Sequence, residues 1–291
     1  MGNHRKKLFS LANLANSFET RRGYWIIAWQ MALDHPFFGV GHDSYGDWFK
    51  SYRGEEQAFS NAAHNVFLDI LSNTGFVGFA SYLLIVGITL KSCFNVCFRT
   101  RYFDPIGSGL ALSYVAYFLQ SLISINQISL AVWGWVLSAS VIAYDVAKNS
   151  NLKRVRESRS SSIRKKPSLK SKLLLAPIFI VGATFSLIPL SQDYQYRRAL
   201  ESANANQIIE ATKQFPPNLF LYTNSSKLFM DNSLFYISRQ MAEFAVELNP
   251  RSTQGWELIL NNPSSSPKRV KYAKSELVRL DPNNTSYKSN Q

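Results

Sequence analysis

The chain has 291 residues, 46% of them hydrophobic, and a formal net charge of +13 at pH 7. Its apolar residues are concentrated between about 75 and 190, and both ends are polar. Because the positive charge clusters in a segment between apolar runs, the composition excludes nucleic acid as the partner and indicates a membrane protein.

The first predicted element is an amphipathic helix over 20–34, which Pro36 closes soon after. Its apolar side chains recur at helical spacing: Trp25, Ile26, Ala28, Trp29, Ala32 and Leu33. Arg21 and Arg22 lie near its start. Adjacent residues of a helix point about 100° apart, so the two guanidiniums cannot face the same pocket. We favour Arg21 as the functional one, and a solvated basic pair near lipid headgroups is the alternative.

The next segment is predicted to be irregular. His35-Pro36-Phe37-Phe38-Gly39-Val40-Gly41 reads as a tight turn, and the stretch 39–54 reads as a loop. A metal cluster from His35, His42, Asp43 and Asp47 is disfavoured because these residues lack a regular ligand spacing. The glycine turn also lacks the strand–loop–helix context and the lysine of a nucleotide-binding loop. We therefore predict no metal and no cofactor.

A second helix is predicted to begin near Asn61 and to carry His64, eleven residues before a break at Gly75. Imidazole titrates near neutrality, which suits general acid–base catalysis. Asn65 either orients His64 or caps a helix. Gly75 and Gly78, about one turn apart, would let another backbone approach closely.

The aromatic side chains of this polar segment have two interpretations. They are Trp25, Trp29, Tyr45 and Trp48. An interfacial belt at the membrane surface is favoured over stacking on sugar rings.

Four nearly charge-free segments of about 20 residues are predicted to span the membrane. The polar side chains within the first two are tolerable if they face other helices. The fold is therefore predicted to be all-α, a polytopic helical membrane protein. The predicted spans are 76–97, 106–124, 128–147 and 173–190.

The segment 148–172 carries ten Lys and Arg residues against Glu157 alone. A basic loop between two spans is retained in the cytoplasm. The segments on either side of the spans then lie on the opposite face. The predicted division is an external segment 1–74, three spans in 75–147, a basic cytoplasmic loop 148–172, a fourth span 173–190 and an external helical domain 191–291.

The last hundred residues show a weak internal repeat. Pro217, Pro250 and Pro282 lie in similar turns, 33 and 32 residues apart. Small residues precede the turns at helix-packing positions: Ala211, Ala242, Ala245 and Ala273. The period is close to the tetratricopeptide unit of about 34 residues, whose stacked helix pairs present a concave surface. A plain helical bundle with coincidental prolines is the alternative.

Several of these motifs occur together in one known family. His64-Asn65, nine residues, then Gly75-Phe76-Val77-Gly78, with Arg21 four residues before Trp25 and the His35–Gly41 turn, resembles the shared module of O-antigen ligases and polymerases. The resemblance covers about 20–147. It implies a metal-independent, inverting glycosyltransferase of the bacterial inner membrane, with the His64 loop and the C-terminal domain in the periplasm.

The resemblance also implies roles and partners. His64 and Arg21 would be catalytic, Arg22 and Asn65 substrate-binding, and Gly39, Gly41, Gly75 and Gly78 structural. The donor would be a glycan on undecaprenyl diphosphate. The acceptor would be lipid A-core, a polysaccharide or a protein.

One departure from the family bears on activity. Members carry several further spans and another external arginine ahead of this module, so an N-terminal half encoded upstream is an expected partner. A rival interpretation is a non-catalytic, truncated membrane scaffold whose helical repeats bind a protein.

Overall fold

The computed structural model describes residues 2–55, 57–99, 103–157 and 169–288. They form helices joined by turns and loops, with no strand among them, which confirms the predicted all-α class. The chain divides into two compact units, Met1–Ser161 and Ser162–Gln291. Unit 1 contains five helices in its described part: α1 (Gly2–Asp34), α2 (Tyr45–Tyr52), α3 (Val66–Phe98), α4 (Pro105–Ser121) and α5 (Ile128–Glu157).

Helix α1 contains the predicted 20–34 helix, but its buried face differs from the predicted apolar stripe. Residues spaced one and two turns apart from Tyr24 are buried: Ile27, Ala28 and Met31. Ile26, Trp29 and Leu33 are each about half exposed on other faces. The helix therefore carries apolar side chains both toward the protein and away from it.

Helices α3, α4 and α5 pack on one another as a three-helix bundle. Its core includes Cys93, Ala111, Tyr114 and Val141. Polar groups of the predicted spans divide between two settings. The Thr89 and Ser138 hydroxyls are 2.6 Å apart and buried between α3 and α5, whereas Ser81 and Ser113 are exposed and donate to carbonyls of their own helices. Apolar side chains such as Leu84, Phe94, Leu112 and Trp133 are exposed on the outside of the bundle. Such a distribution suits a lipid environment.

Two helices of the described chain are long and apolar enough to cross a membrane, Val66–Phe98 and Ile128–Asn149. They contain the first and third predicted spans. At the second predicted span, α4 has 17 residues, at the short end of what a hydrocarbon core requires. The fourth predicted span falls inside α6 (Leu169–Glu201). The second and fourth spans stay predictions.

The predicted basic loop is partly helical. Helix α5 continues to Glu157, and α6 begins at Leu169. Residues 158–168, the centre of the basic segment, lie outside the described residues. Lys and Arg have good helix propensity, so a span can continue into a basic segment without a break.

Unit 2 contains, after α6, the helices α7 (Ala205–Thr212), α8 (Leu219–Asp231), α9 (Phe235–Leu248), α10 (Thr253–Leu260), α11 (Pro267–Leu280) and α12 (Thr285–Lys288). Consecutive helices pack together, α8 on α9 and α10 on α11. The Pro250 and Pro282 turns follow these two pairs, and the predicted small residues Ala242, Ala245 and Ala273 are fully buried. Two helical hairpins are therefore present, and the tetratricopeptide-like repeat stays a prediction.

Candidate functional site

His64 lies in the turn immediately before α3, and not on a helix as its spacing suggested. Helix α3 begins at Val66 because Asn65 is its N-cap. The Asn65 Oδ1 accepts hydrogen bonds from the backbone N–H groups of Phe67 and Leu68, at 3.0 and 3.1 Å. These bonds satisfy two of the free N–H groups of the first turn. Of the two roles considered for Asn65, the structure shows the cap.

The backbone of His64 is in the left-handed region, with φ of 55°. This conformation is uncommon for a residue with a side chain and persists when neighbouring bonds enforce it. On one side is the Asn65 cap. On the other, the N–H of the fully buried Ala63 donates to Asp69 Oδ1 at 2.6 Å. His64 is therefore held between two hydrogen-bonded residues.

Asp69 was not singled out from the sequence. It is 6% exposed and lies on the first turn of α3. Negative charge is favourable near a helix N-terminus, and its Oδ1 bond to Ala63 closes the turn that carries His64. A signal was present, since Asp69 is the one carboxylate within the apolar run Phe67-Leu68-Asp69-Ile70-Leu71.

The His64 ring packs on α1. It stacks on Tyr24, with ring centroids 5.6 Å apart and ring planes 25° apart. Tyr24 is itself fixed, because its ring meets Phe49 and its backbone oxygen accepts a 2.9 Å bond from the Tyr45 hydroxyl. Tyr45 is 1% exposed. It therefore belongs to the core beneath the site, and the prediction that it forms part of an interfacial belt is wrong.

Arg21 lies one turn before Tyr24 on α1 and acts electrostatically on His64. The pKa of His64 is below its usual value of 6.5, first because burial disfavours the imidazolium and then because the Arg21 guanidinium repels it. Both effects favour the free base of the imidazole.

Arg22 is directed elsewhere. Its side chain is 62% exposed and its Nη1 lies 3.5 Å from Glu19 Oε2, one turn back on the same helix. Arg21 is thus near enough to His64 to lower its pKa, whereas Arg22 is in a solvent-facing ion pair.

The predicted break in α3 is real. Gly75 has φ 66° and ψ −172° within an otherwise continuous helix, a combination that essentially only glycine adopts. The break frees the carbonyls of Ser72 and Asn73 from their helical partners. They accept instead from the N–H groups of Val40 and Gly41, at 2.9 and 3.1 Å.

The glycine turn fills this break. The Phe76 N–H donates to Pro36 O at 2.7 Å. A Cβ on Gly39 would lie 2.4 Å from the Asn73 carbonyl carbon, and a Cβ on Gly75 would lie 2.6 Å from that of Phe37. The two backbones approach as closely as the sequence predicted for Gly75. At Gly78 the close neighbour is the Thr74 side chain and not a second backbone.

Helix α2 occupies part of the predicted loop 39–54. Its first turn is capped by a distant side chain, because Asn73 Oδ1 accepts from the N–H groups of Ser44 and Tyr45, both at 3.0 Å. The Asn73 Nδ2 in turn donates to Asp69 O at 2.8 Å. The Asn73 amide of α3 thus caps α2, and no residue near α2 in the sequence indicates this cap.

The described part of the chain holds no group of three or more His, Cys, Asp or Glu side chains placed to bind a metal ion. His35 packs its ring edge against Trp48, with centroids 4.5 Å apart. This contact belongs to the packing of the glycine turn on α2.

Residues 1–83 match the O-antigen ligase family model. The matched segment contains every predicted site residue, from Arg21 through His64 to Gly78. It ends inside α3, so it includes neither the later helices of unit 1 nor the hairpins of unit 2, and the tetratricopeptide assignment gains no support. No curated protein and no solved structure matches the chain.

The contacts that build the His64 site all lie within the residues that match the O-antigen ligase family. Over the matched residues, three distant segments are tied together: α1 through Tyr24, the glycine turn through its bonds to the α3 break, and the His64 turn through Asn65 and Asp69. The result is a His64 ring held against α1, two residues before a candidate membrane span.

Proposed function

We propose that the chain is a glycosyltransferase of the O-antigen ligase and polymerase type. It would move a glycan from undecaprenyl diphosphate to an acceptor hydroxyl in cell-surface polysaccharide synthesis, at the periplasmic face of the bacterial inner membrane. The observation that carries the proposal is the stacking of His64 on Tyr24, one turn from Arg21 on α1, within the residues that match the O-antigen ligase family.

The proposed chemistry uses His64 as a neutral base and Arg21 as a cationic hydrogen-bond donor. The acceptor oxygen attacks the anomeric carbon from the side opposite the diphosphate and gives its proton to the free-base imidazole of His64. The glycosyl–phosphate bond breaks, and the undecaprenyl diphosphate leaves with inversion at carbon. The Arg21 guanidinium donates hydrogen bonds to the diphosphate oxygens, whose charge grows as the bond breaks. In this scheme the site needs no metal ion.

The proximity of Arg21 couples proton transfer to departure of the leaving group. An imidazolium near a guanidinium is unfavourable, and Arg21 adds this repulsion to the burial that first lowers the pKa of His64. When the diphosphate accumulates negative charge at Arg21, that repulsion is offset and His64 accepts a proton more easily. Base and anion-binding group therefore work best in the same step.

The location at the membrane agrees with this scheme. Val66–Phe98 is a candidate span, and His64 precedes it by two residues. A lipid-linked diphosphate lies at the membrane surface, so a base in the turn before a span meets it at the right depth. The acceptor class (lipid A-core, polysaccharide or protein) would be set by other loops.

The decisive experiment is glycan transfer from a polyprenyl-diphosphate donor in membranes, by the chain alone and together with any polypeptide encoded upstream. His64→Asn is the best variant because Asn tolerates the left-handed backbone of this position. Loss of the general base should lower the rate about 10²- to 10⁴-fold. Equal amounts of protein in the membrane are the control for folding.

Arg21 and Arg22 provide a matched pair for the same assay. Arg21→Ala should lower the rate roughly 10²- to 10³-fold, as expected for loss of one electrostatic donor to the transition state. Arg22→Ala removes only an exposed ion pair and should change it less than about twofold. Full activity of His64→Asn would refute the proposed site, and no transfer by the wild type in either setting would favour the scaffold alternative.

A further inference from the structure

A pocket in unit 2 lies between α9 and α11, well apart in sequence from the His64 site. It encloses about 430 Å³, within the usual range for small-molecule sites. An adjoining cleft of about 320 Å³ shares Ser266 and Arg269 with it and extends to Tyr272. We treat the two together as one groove.

The groove has a rigid wall on α11. The Arg269 guanidinium binds both carboxylate oxygens of Glu243 on α9, with Nε at 3.0 and 3.1 Å from them. It also lies over two aromatic rings, 5.0 Å from the centroid of Trp256 and 5.2 Å from that of Tyr272. A side chain held by two rings and a bidentate ion pair loses little further freedom when a ligand binds.

The α9 wall is ordered in a similar way. Arg239 Nη1 donates to Ser264 O at 2.8 Å, and its guanidinium lies 5.5 Å from the centroid of the Tyr236 ring. Gln240 Nε2 donates to the Tyr236 hydroxyl at 3.2 Å. The Tyr236 side chain remains 60% exposed. The wall therefore presents one ring face and several planar polar groups to the groove.

Charge and composition narrow the class of ligand. Arg239 and Arg269 balance Glu243 and Glu247 in the main pocket, and the adjoining cleft adds only Lys268, which argues against a strongly charged ligand. None of the described residues that line it is aliphatic, and its apolar surface is aromatic, chiefly Tyr236 and Phe244. A peptide usually anchors by apolar side chains in aliphatic pockets. A sugar presents hydroxyls to planar polar groups and its C–H faces to aromatic rings.

We propose that the groove between α9 and α11 binds a neutral carbohydrate chain. Exposed rings would take the sugar faces, and the fixed Arg, Glu and Gln groups would bind the hydroxyls. The proposal stands independently of the chemistry at His64. It assigns unit 2 a glycan-binding role that a protein-binding repeat domain would not have.

The test uses the full chain in lipid nanodiscs, which avoids sugar-based detergents. Saturation-transfer NMR is measured with maltohexaose, cellohexaose, laminarihexaose and chitohexaose, and with an acidic and a basic hexapeptide. At least one oligosaccharide should bind. Tyr236→Ala should weaken its binding roughly 2- to 10-fold, the worth of one aromatic contact.

Phe220→Ala is the matched control, because Phe220 is a 67% exposed aromatic residue of α8 that does not line the groove. Its binding should equal that of the wild type. Gln240→Ala, on the exposed surface of α9, provides a second test and should also weaken binding. Circular dichroism should show unchanged helix content in all three variants.

Three results would overturn the proposal. They are the absence of binding to every oligosaccharide, binding of a hexapeptide in preference to all of them, and equal affinity in the Tyr236→Ala and Phe220→Ala variants.

Discussion

The two units of the chain hold their helices in different ways. Side-chain caps begin helices in both units, as Asn65 does for α3 and Ser252 for α10, but the hairpins of unit 2 pack through small buried side chains such as Ala242 and Ala245. In unit 1 the α3 helix is broken at Gly75, and its freed carbonyls bind the turn that follows α1. Regular packing in unit 2 tolerates variation of side chains. At the Gly75 break of α3, backbone packs on backbone, so side chains cannot vary there.

The first prediction, with the largest expected effect, concerns the break itself. Gly75→Ala would place a Cβ 2.6 Å from the Phe37 carbonyl carbon and force a glycine-only conformation, which costs of the order of 1–3 kcal/mol before any clash. Because the Phe37–Gly41 turn must move, transfer activity should fall more than about 100-fold. The measurement is the transfer rate per amount of membrane-inserted protein.

Gly87→Ala is its control in the same helix. A Cβ there would meet no atom within 4 Å, so its activity should match the wild type. Equal activity of the two variants would show that the close approach at Gly75 has no functional weight.

The second prediction concerns Asp69. Asp69→Leu leaves the buried Ala63 N–H without an acceptor, which costs about 1–3 kcal/mol. If this free energy destabilises the His64 turn, the transfer rate should fall roughly 5- to 100-fold. Asp69→Asn keeps an acceptor oxygen of the same shape and should retain most activity. Both variants are compared by transfer rate at equal protein level. A large loss in Asp69→Asn would instead mean that the charge matters and not the hydrogen bond.

The third prediction concerns pH. The pKa of His64 is lowered by burial and by Arg21, so its free base should persist to a lower pH than that of an ordinary histidine. Arg21→Gln removes the repelling charge and should move the titration of His64 to higher pH, whereas Arg22→Gln should not. The readout is the rate of diethylpyrocarbonate modification of the His64 peptide between pH 4.5 and 8, by mass spectrometry, which needs no activity.

That expectation fails if Arg21→Gln and Arg22→Gln titrate alike. In that case burial alone would account for the lowered pKa of His64, and the two side chains would not act as a pair.

The fourth prediction, with the smallest expected effect, tests unit 2. A Cβ on Gly255 of α10 would lie 2.8 Å from Val246 Cγ1, which is a side chain and not backbone. The buried Val246 must move to admit this Cβ, and the cost is partly offset because alanine favours the helix by about 0.5–1 kcal/mol over glycine. Gly255→Ala should therefore shift the unfolding temperature of the chain by less than about 4 °C. A larger shift would show that unit 2 is as intolerant as the break in α3.

Much of the helical architecture follows from local sequence. The helix before Pro36, the break at Gly75, and the hairpins of unit 2 each have a local signal in apolar period, glycine or proline. The start of α3 also has a local sequence signal, since Asn65 is a favourable N-cap and Asp69 lies in the first turn. With that signal, His64 would have been placed in the preceding turn.

Other parts of the site depend on contacts between distant residues. Helix α2 forms against Asn73, 28 and 29 residues away from the two N–H groups that it caps. The pairing of His64 with Tyr24 joins residues 40 positions apart. No local pattern encodes such contacts, although helical geometry did indicate that Arg21 and Arg22 must differ in direction.

Gly39 and Gly75 each lack room for a Cβ, and this has a consequence for sequence change. A clash between two large side chains is often relieved by shrinking one of them. Here each position already holds the smallest residue, and each faces the backbone of the other segment. A substitution at either glycine therefore has no compensating substitution at the other, and the two positions can only be kept together or lost together.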